Sequence, residues 1–338
     1  MKTNTSLTLD QLRTAGLDEQ LTALRGAVTN GLDSDESNIA VVAEPFGCRD
    51  RFLDHIEREF PSRTGRVSIS NAAIDTLPSF PDTDIVLVDD CQLLYQRDIG
   101  GFDTLDEFIE EMASRETVFV TAWNRYAWSY LTAVTALGSL FPHPILIPRL
   151  DASQVGELLE SYHDDSPTFA DVDDTQRVKT LDIELESTTL AGVSVPMPDV
   201  RVNPEYILPQ SRTDAETDIE AVVYQTIATL SAGTPRVAVD LWERSIRDGT
   251  IAPAYVKEVD ESLAIDRDTA FVLELVLTNE AIANETIANI CPDTHLQQAI
   301  QTLRTNNLVT VDQDGIVQLE PTRLYSTVTH LQRRQLVW

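Results

Sequence analysis

Two stretches of the chain carry residue types at spacings suited to chemistry. The first is Ala43-Glu44-Pro45-Phe46-Gly47-Cys48-Arg49-Asp50, which comes after the apolar run 39–42 and precedes a helix-like segment, 51–60. Its outline is that of a phosphate-cradling loop between strand and helix, G-x-x-x-x-G-K-[ST]. There, glycines let backbone N–H groups approach the anion, a lysine meets it, and a hydroxyl holds magnesium. At the four diagnostic positions this chain has Ala43, Cys48, Arg49 and Asp50. Cβ atoms at 43 and 48 stand where glycine permits close approach. Arg49 is a planar fork rather than a compact point charge, and Asp50 sets a carboxylate where the hydroxyl belongs. The second stretch is Asp84-Ile85-Val86-Leu87-Val88-Asp89-Asp90, an apolar strand ending in paired carboxylates. Such a pair can help hold a metal and polarise a water, or simply cap the next turn of chain.

These groups need elements to position them. Apolar runs at 39–43, 66–70, 84–88, 117–121 and 144–147 alternate with helix-like segments. This predicts an α/β fold with a five-stranded parallel sheet covered by helices on both faces. Residues 17–28 and 150–162 read as amphipathic helices, the second opened by Asp151 and Ser153 as caps. From 163 to about 212 the pattern degrades into acids and prolines, an insertion with short strands at 181–185 and 192–195. Helices are expected again at 218–230 and 236–248, separated by Gly233-Thr234-Pro235. Beyond residue 266 come helices at 269–277, 284–290 and 293–306. A hairpin, 308–311 with 316–319, is expected around Asp312-Gln313-Asp314-Gly315, and a last helix spans 323–335. That order is the one of a winged helix-turn-helix. The expected domains are thus 1–150, a helical lid over 151–265 and a winged helix over 266–338.

The loop at 43–50, the strand ending at Asp89 and Asp90, the strand before Asn124 and the Gly233-Thr234-Pro235-Arg236 segment together resemble AAA-type P-loop ATPases. Among these, the chain is most similar to archaeal origin-recognition initiators and transposition-type ATPases that end in a winged helix. The resemblance implies that Ala43, Gly47, Arg49, Asp50 and Arg236 line a site for ATP, with Arg236 at the sensor 2 position. It implies that Asp89 and Asp90 form the Walker B element and that Asn124 is sensor 1. Read locally, Asn124 is equally a cap for the helix after it, and Arg236 a solvated residue behind a helix-opening proline. With Asp50 facing the phosphates, magnesium binding and hydrolysis are opposed. The expected function is a non-hydrolysing or weakly hydrolysing nucleotide-switch or regulatory protein. The alternatives are an active DNA-linked motor or loader, and a protein adaptor that has lost both ligands. Arg97, after the Walker B-like strand, is read as a surface arginine or a finger toward a neighbouring subunit. The aromatics Trp123, Tyr126, Trp128 and Tyr130 are read as core or interface.

In the C-terminal segment, Gln297, Gln298, Gln301 and Arg304 fall on the exposed side of the third helix and suit base edges in a major groove. Nine acids stand against five arginines over 266–338, a net of −4 that is poor for phosphate contact. A protein partner or self-association therefore remains open beside DNA. The whole chain has 55 acidic and 25 basic residues, a net charge of −30. Lys2, Lys179 and Lys257 are its only lysines. The acids are dispersed among 42% hydrophobic residues, the pattern of a folded, salt-adapted surface such as halophilic archaea use. Cys48, Cys91 and Cys291 lack metal spacing and suit a reducing cytoplasm. No N-terminal signal and no membrane span are expected, since 130–150 is broken by Gly138, Pro142, Pro144 and Pro148. The five histidines form no pair or triad that would support another catalytic class.

Overall fold

A computed structural model describes residues 7–33, 38–70, 77–163, 166–170, 218–256, 263–292 and 295–337 in full, and 181–190 and 193–202 as backbone. Short α1 (Leu9–Leu12) leads into α2 (Asp18–Asp33). Next come β1 (Asn38–Ala43), α3 (Arg49–Glu59), β2 (Thr64–Ser68), β3 (Ile85–Asp89), α4 (Asp103–Ser114), β4 (Val118–Asn124), α5 (Arg125–Val134) and β5 (Ile145–Leu146). The five strands are parallel in the order β2-β3-β4-β1-β5. All five expected strands are present, with bounds shifted by at most three residues.

Period-two alternation sorts the strand side chains into two layers. Ile39, Val41, Ile85, Leu87, Val118 and Val120 join α2, α3 and the later helices in one apolar cluster. Ala40, Val42, Val86, Val88, Phe119 and Trp123 join α4, α5 and Phe141 in another on the opposite face. β-branched runs such as Ile39-Ala40-Val41-Val42 suit strands buried on both faces. Trp123, Tyr126 and Trp128 are buried here, as their clustering predicted.

Helix α6 (Ala152–Tyr162) opens with a reciprocal capping box. Gln154 N donates to Asp151 Oδ1 at 2.9 Å, and Asp151 N donates to Gln154 Oε1 at 3.0 Å. β6 (Thr168–Phe169) comes after it, and β7 (Leu181–Leu190) pairs antiparallel with β8 (Val193–Val202). The predicted short strands are thus a longer hairpin, while the acids at 171–174 and the prolines at 204 and 209 lie outside the described residues. α7 (Ile219–Leu230) and α8 (Pro235–Ser245) are joined through Gly233, at φ +67, where a Cβ would lie 2.3 Å from Leu150 O. Only glycine fits that approach, and Leu150 N donates to Gly233 O at 2.9 Å, tying the start of α8 to the end of the sheet. β9 (Thr250–Ile251) pairs with β6.

The C-terminal segment runs α9 (Arg267–Asn279), β10 (Ala281–Ala283), α10 (Asn284–Ile290), α11 (Leu296–Thr305), β11 (Val309–Val311), β12 (Ile316–Leu319) and α12 (Leu324–Arg333). Its antiparallel sheet is ordered β10-β12-β11, with a third strand, β10, that the pattern had not suggested. At the hairpin, Asp312 Oδ1 accepts from Asp314 N and Ile316 N, and Gly315 takes φ +77. Side chains of α9, α11 and α12 belong to the same apolar cluster as β1, α3, α7 and α8. One core therefore runs through all three expected domains. No helix among the described residues is long and apolar enough to cross a membrane.

Candidate functional site

The loop between β1 and α3 keeps the outline of a phosphate cradle without its glycines. Ala43 is the last residue of β1, with its Cα opposite Asn124. The left-handed conformations fall instead at Phe46, φ +63, and Cys48, φ +61. This moves the glycine-demanding positions of the loop from 43 and 48 to 46 and 48. L side chains in this region are strained, and here they project into space that glycines leave open. Gly47 is buried, and its N–H donates to Glu44 O at 2.9 Å, inside the loop. Burial, then the charge of Asp50, pushes the Cys48 thiol up to about 12, so it stays protonated.

Arg49, the first residue of α3, is 7% exposed and forms an ion pair with Glu280, Nη1 to Oε1 2.6 Å. Glu280 stands just past the end of α9, at φ +64 and ψ −41. Asn124 points to the same carboxylate: its Nδ2 donates to Glu280 Oε1 at 3.0 Å and to Leu277 O at 2.9 Å. Its Oδ1 meanwhile accepts from Tyr126 N and Ala127 N. Asn124 thus caps α5, as its local reading expected, and its amide also meets the carboxylate that pairs with Arg49. Asp90 lies 3.9 Å from Arg49 and accepts from Gln92 Nε2 at 3.0 Å. Burial, with Asp89 next to it, raises Asp90 to about 6 against the pull of Arg49. Burial opposes the Arg49 charge, but Glu280, Asp90 and Asp89 more than offset this.

Asp89 ends β3 with both carboxylate oxygens engaged. Arg66 Nη2 donates to Oδ2 at 2.8 Å, and Asp90 N donates to Oδ1 at 3.0 Å. Arg66, on β2, also donates to Asp54 Oδ1 at 2.5 Å. Asp54 pairs with Arg51 at 2.7 Å, and Arg51 with Asp50 at 3.0 Å. An unbroken chain of ion pairs therefore links the loop to the end of β3. The Arg66 guanidinium thus sits against one oxygen of Asp89 and bridges it to Asp54.

Arg236, half-buried at the start of α8, lies within electrostatic reach of Cys48 and Asp240. Arg97 is not a free surface arginine. It is half-buried over the Tyr130 ring, 4.0 Å from the centroid, and pairs with Glu274 of α9 at 2.7 Å. Glu274 is fully buried, which pushes its carboxyl up to about 7 while Arg97 pulls it down. Sequence reasoning missed Glu280, Glu274 and Arg66. An arginine inside a strand of a covered sheet was a readable signal for Arg66. The glutamates have partners too distant in the chain to betray them. Gln297, Gln298, Gln301 and Arg304 are all exposed on α11, away from the loop's ion pairs.

The residues present do not fit an ATP–magnesium complex in this arrangement. Position 50 offers a carboxylate already paired, Asp89 is committed to Arg66, and Arg49 to Glu280. The described residues contain no cluster of three or more metal-ligating side chains.

No protein-family model and no curated protein sequence matches the chain. Solved structures do. The Aeropyrum pernix Orc1 protein in complex with DNA aligns over 93% of this chain and 94% of its own, at 12% identity and a TM-score of 0.44. The Thermotoga maritima RuvB Holliday junction branch migration motor aligns over 92% and 94%, at 12% and 0.39. Cdc6p from Pyrobaculum aerophilum aligns over 95% and 94%, at 14% and 0.39. Such distant similarities concern the fold alone; the chain's own strand order, with the loop after β1 and paired acids after β3, identifies that fold as the AAA-type P-loop ATPase fold.

Proposed function

We propose that this chain is a non-hydrolysing AAA-fold regulatory protein that presents its C-terminal segment, working as a winged helix, to duplex DNA. The observation that carries the first half is Asp89: Arg66 holds one oxygen and a backbone N–H the other, so magnesium would have to share this carboxylate with a guanidinium. Phosphoryl transfer is mostly positioning and charge stabilisation by metal and cations, and here the cations neutralise the chain's own carboxylates. The second half rests on α11, which exposes Gln297, Gln298, Gln301 and Arg304 and carries no acid along its length.

Protein contact is the second reading, favoured by Asp312 and Asp314 at the hairpin tip beside β11 and β12. Those charges repel a phosphate backbone. The dispersed acids set the assay conditions, molar potassium chloride. In that buffer the full chain should show no ATP turnover, with or without magnesium, above a background shared by Asp89→Asn. Turnover that Asp89→Asn abolishes would replace this reading with the active motor or loader.

A further inference from the structure

The end of α9 places a carboxylate in the seat of a phosphate. Glu280 Oε1 lies 2.6 Å from Arg49 Nη1 and 3.0 Å from Asn124 Nδ2, the side chains at the P-loop lysine and sensor 1 positions. Asn124 also binds Leu277 O, one of the last carbonyls of α9. A helix C-terminus carries partial negative charge and a helix N-terminus partial positive charge. Arg49 opens α3 and Glu280 closes α9, so helix ends of opposite sign meet through their terminal side chains. Arg49 Nε, buried, has no hydrogen-bond partner among the described residues, so this cation holds donor capacity that one carboxylate does not use. A contact made only for adhesion could lie anywhere along α9. This one uses Arg49 and Asn124, and its acid sits at a positive φ that an L residue adopts only under constraint.

We infer that Glu280 is an intramolecular phosphate surrogate that latches the end of α9 onto the loop, and that a polyphosphate anion reaching Arg49 expels it. The inference rests on the AAA-type reading of the loop and not on the absence of hydrolysis, so ATP turnover would overturn the proposed function and leave the latch standing. Release is local. Arg97 and Glu274 still hold the middle of α9, so the loosened residues are the helix end and β10.

The test is hydrogen exchange of residues 275–283 in the full chain, with inorganic triphosphate as probe and magnesium omitted. Triphosphate should raise exchange there in the wild type. Glu280→Gln should show raised exchange without any anion. It should also bind triphosphate about tenfold more tightly in calorimetry, since a like charge facing the ligand has gone. Arg49→Met, which breaks the pair from the other side, should loosen the same residues and remove the response to triphosphate. Circular dichroism checks that each variant is folded. Wild-type exchange in both folded variants would overturn the latch. So would a wild-type chain that binds triphosphate without any change at 275–283, or a Glu280→Gln chain that gains no affinity. If Glu280→Gln does not fold, the Arg49→Met exchange and the wild-type response decide alone.

Discussion

The loop end of the sheet and the outer face of α11 treat polar side chains in opposite ways. At the loop, three charges that could serve a ligand are turned on the chain itself: Arg49 on Glu280, Asp89 on Arg66, Asp50 on Arg51. On α11 the glutamines and Arg304 are exposed, and among the described residues their side chains form no ion pair or hydrogen bond with another element. The first region commits its polar groups to the chain's own contacts, and the second leaves them to solvent. A fold can thus keep the outline of a phosphate-binding loop with its charges neutralised from within.

The comparison breaks most readily at Asp89. If that carboxylate is structural, Asp89→Asn leaves half-buried Arg66 with Asp54 as its remaining close partner and lowers unfolding stability by about 3 kcal/mol, read from denaturant melts. A metal-holding aspartate would instead lose turnover at little cost in stability. A smaller effect, on the order of 2 kcal/mol, is expected from pH. The folded carboxyl of Glu274 sits at about 7, above its ordinary 4.5. Its stabilising contribution is therefore complete below about pH 4.5 and is lost as the pH rises through about 7. The groups facing it are Arg97, Tyr95 and Cys291. Stability measured from pH 5 to 8 should fall in the wild type, and Glu274→Gln should flatten that slope.

On the open side, Gln298→Ala or Arg304→Ala should each weaken binding of the full chain to a duplex from a genomic selection by about 1–3 kcal/mol. Their melting should be unchanged, because neither side chain is buried. A chain that binds no duplex at any salt concentration shifts the reading of α11 to a protein partner. The smallest effect belongs to Asp50→Thr. Its carboxylate meets only the neighbouring Arg51 at a partly exposed site, so stability should change by less than about 1 kcal/mol. Restoring the hydroxyl should not create a magnesium response in calorimetry while Arg66 still occupies Asp89. A magnesium response in that single variant would show that the ion-pair chain is not the barrier.

Much of the α/β portion was legible because strands buried on both faces need β-branched runs, and those runs are local. The caps were legible for the same reason: Asp151 and Asn124 act within three residues of themselves. β10 was not, because three residues with only Ile282 as a large apolar group carry no periodic signal until β12 pairs with them. The positive φ at Phe46 was hidden since nothing in a phenylalanine announces it. Arg97 was misread because an arginine beside a Gly-Gly turn looks solvated, and only α9 packing over it supplies Glu274 and removes the water.

The sequence by itself determined the strand–loop–helix alternation, the loss of the P-loop glycines, lysine and hydroxyl, the paired acids after β3 and the polar face of α11. Each depends on residue types within a few positions of one another. The tertiary structure alone decided where the charges went. Arg66 reaches Asp89 because β2 lies beside β3, and Glu280 reaches Arg49 because α9 packs against α5 and the turn at 91–94. Electrostatic partners are chosen by distance and desolvation after folding, and a linear sequence lists charges without either.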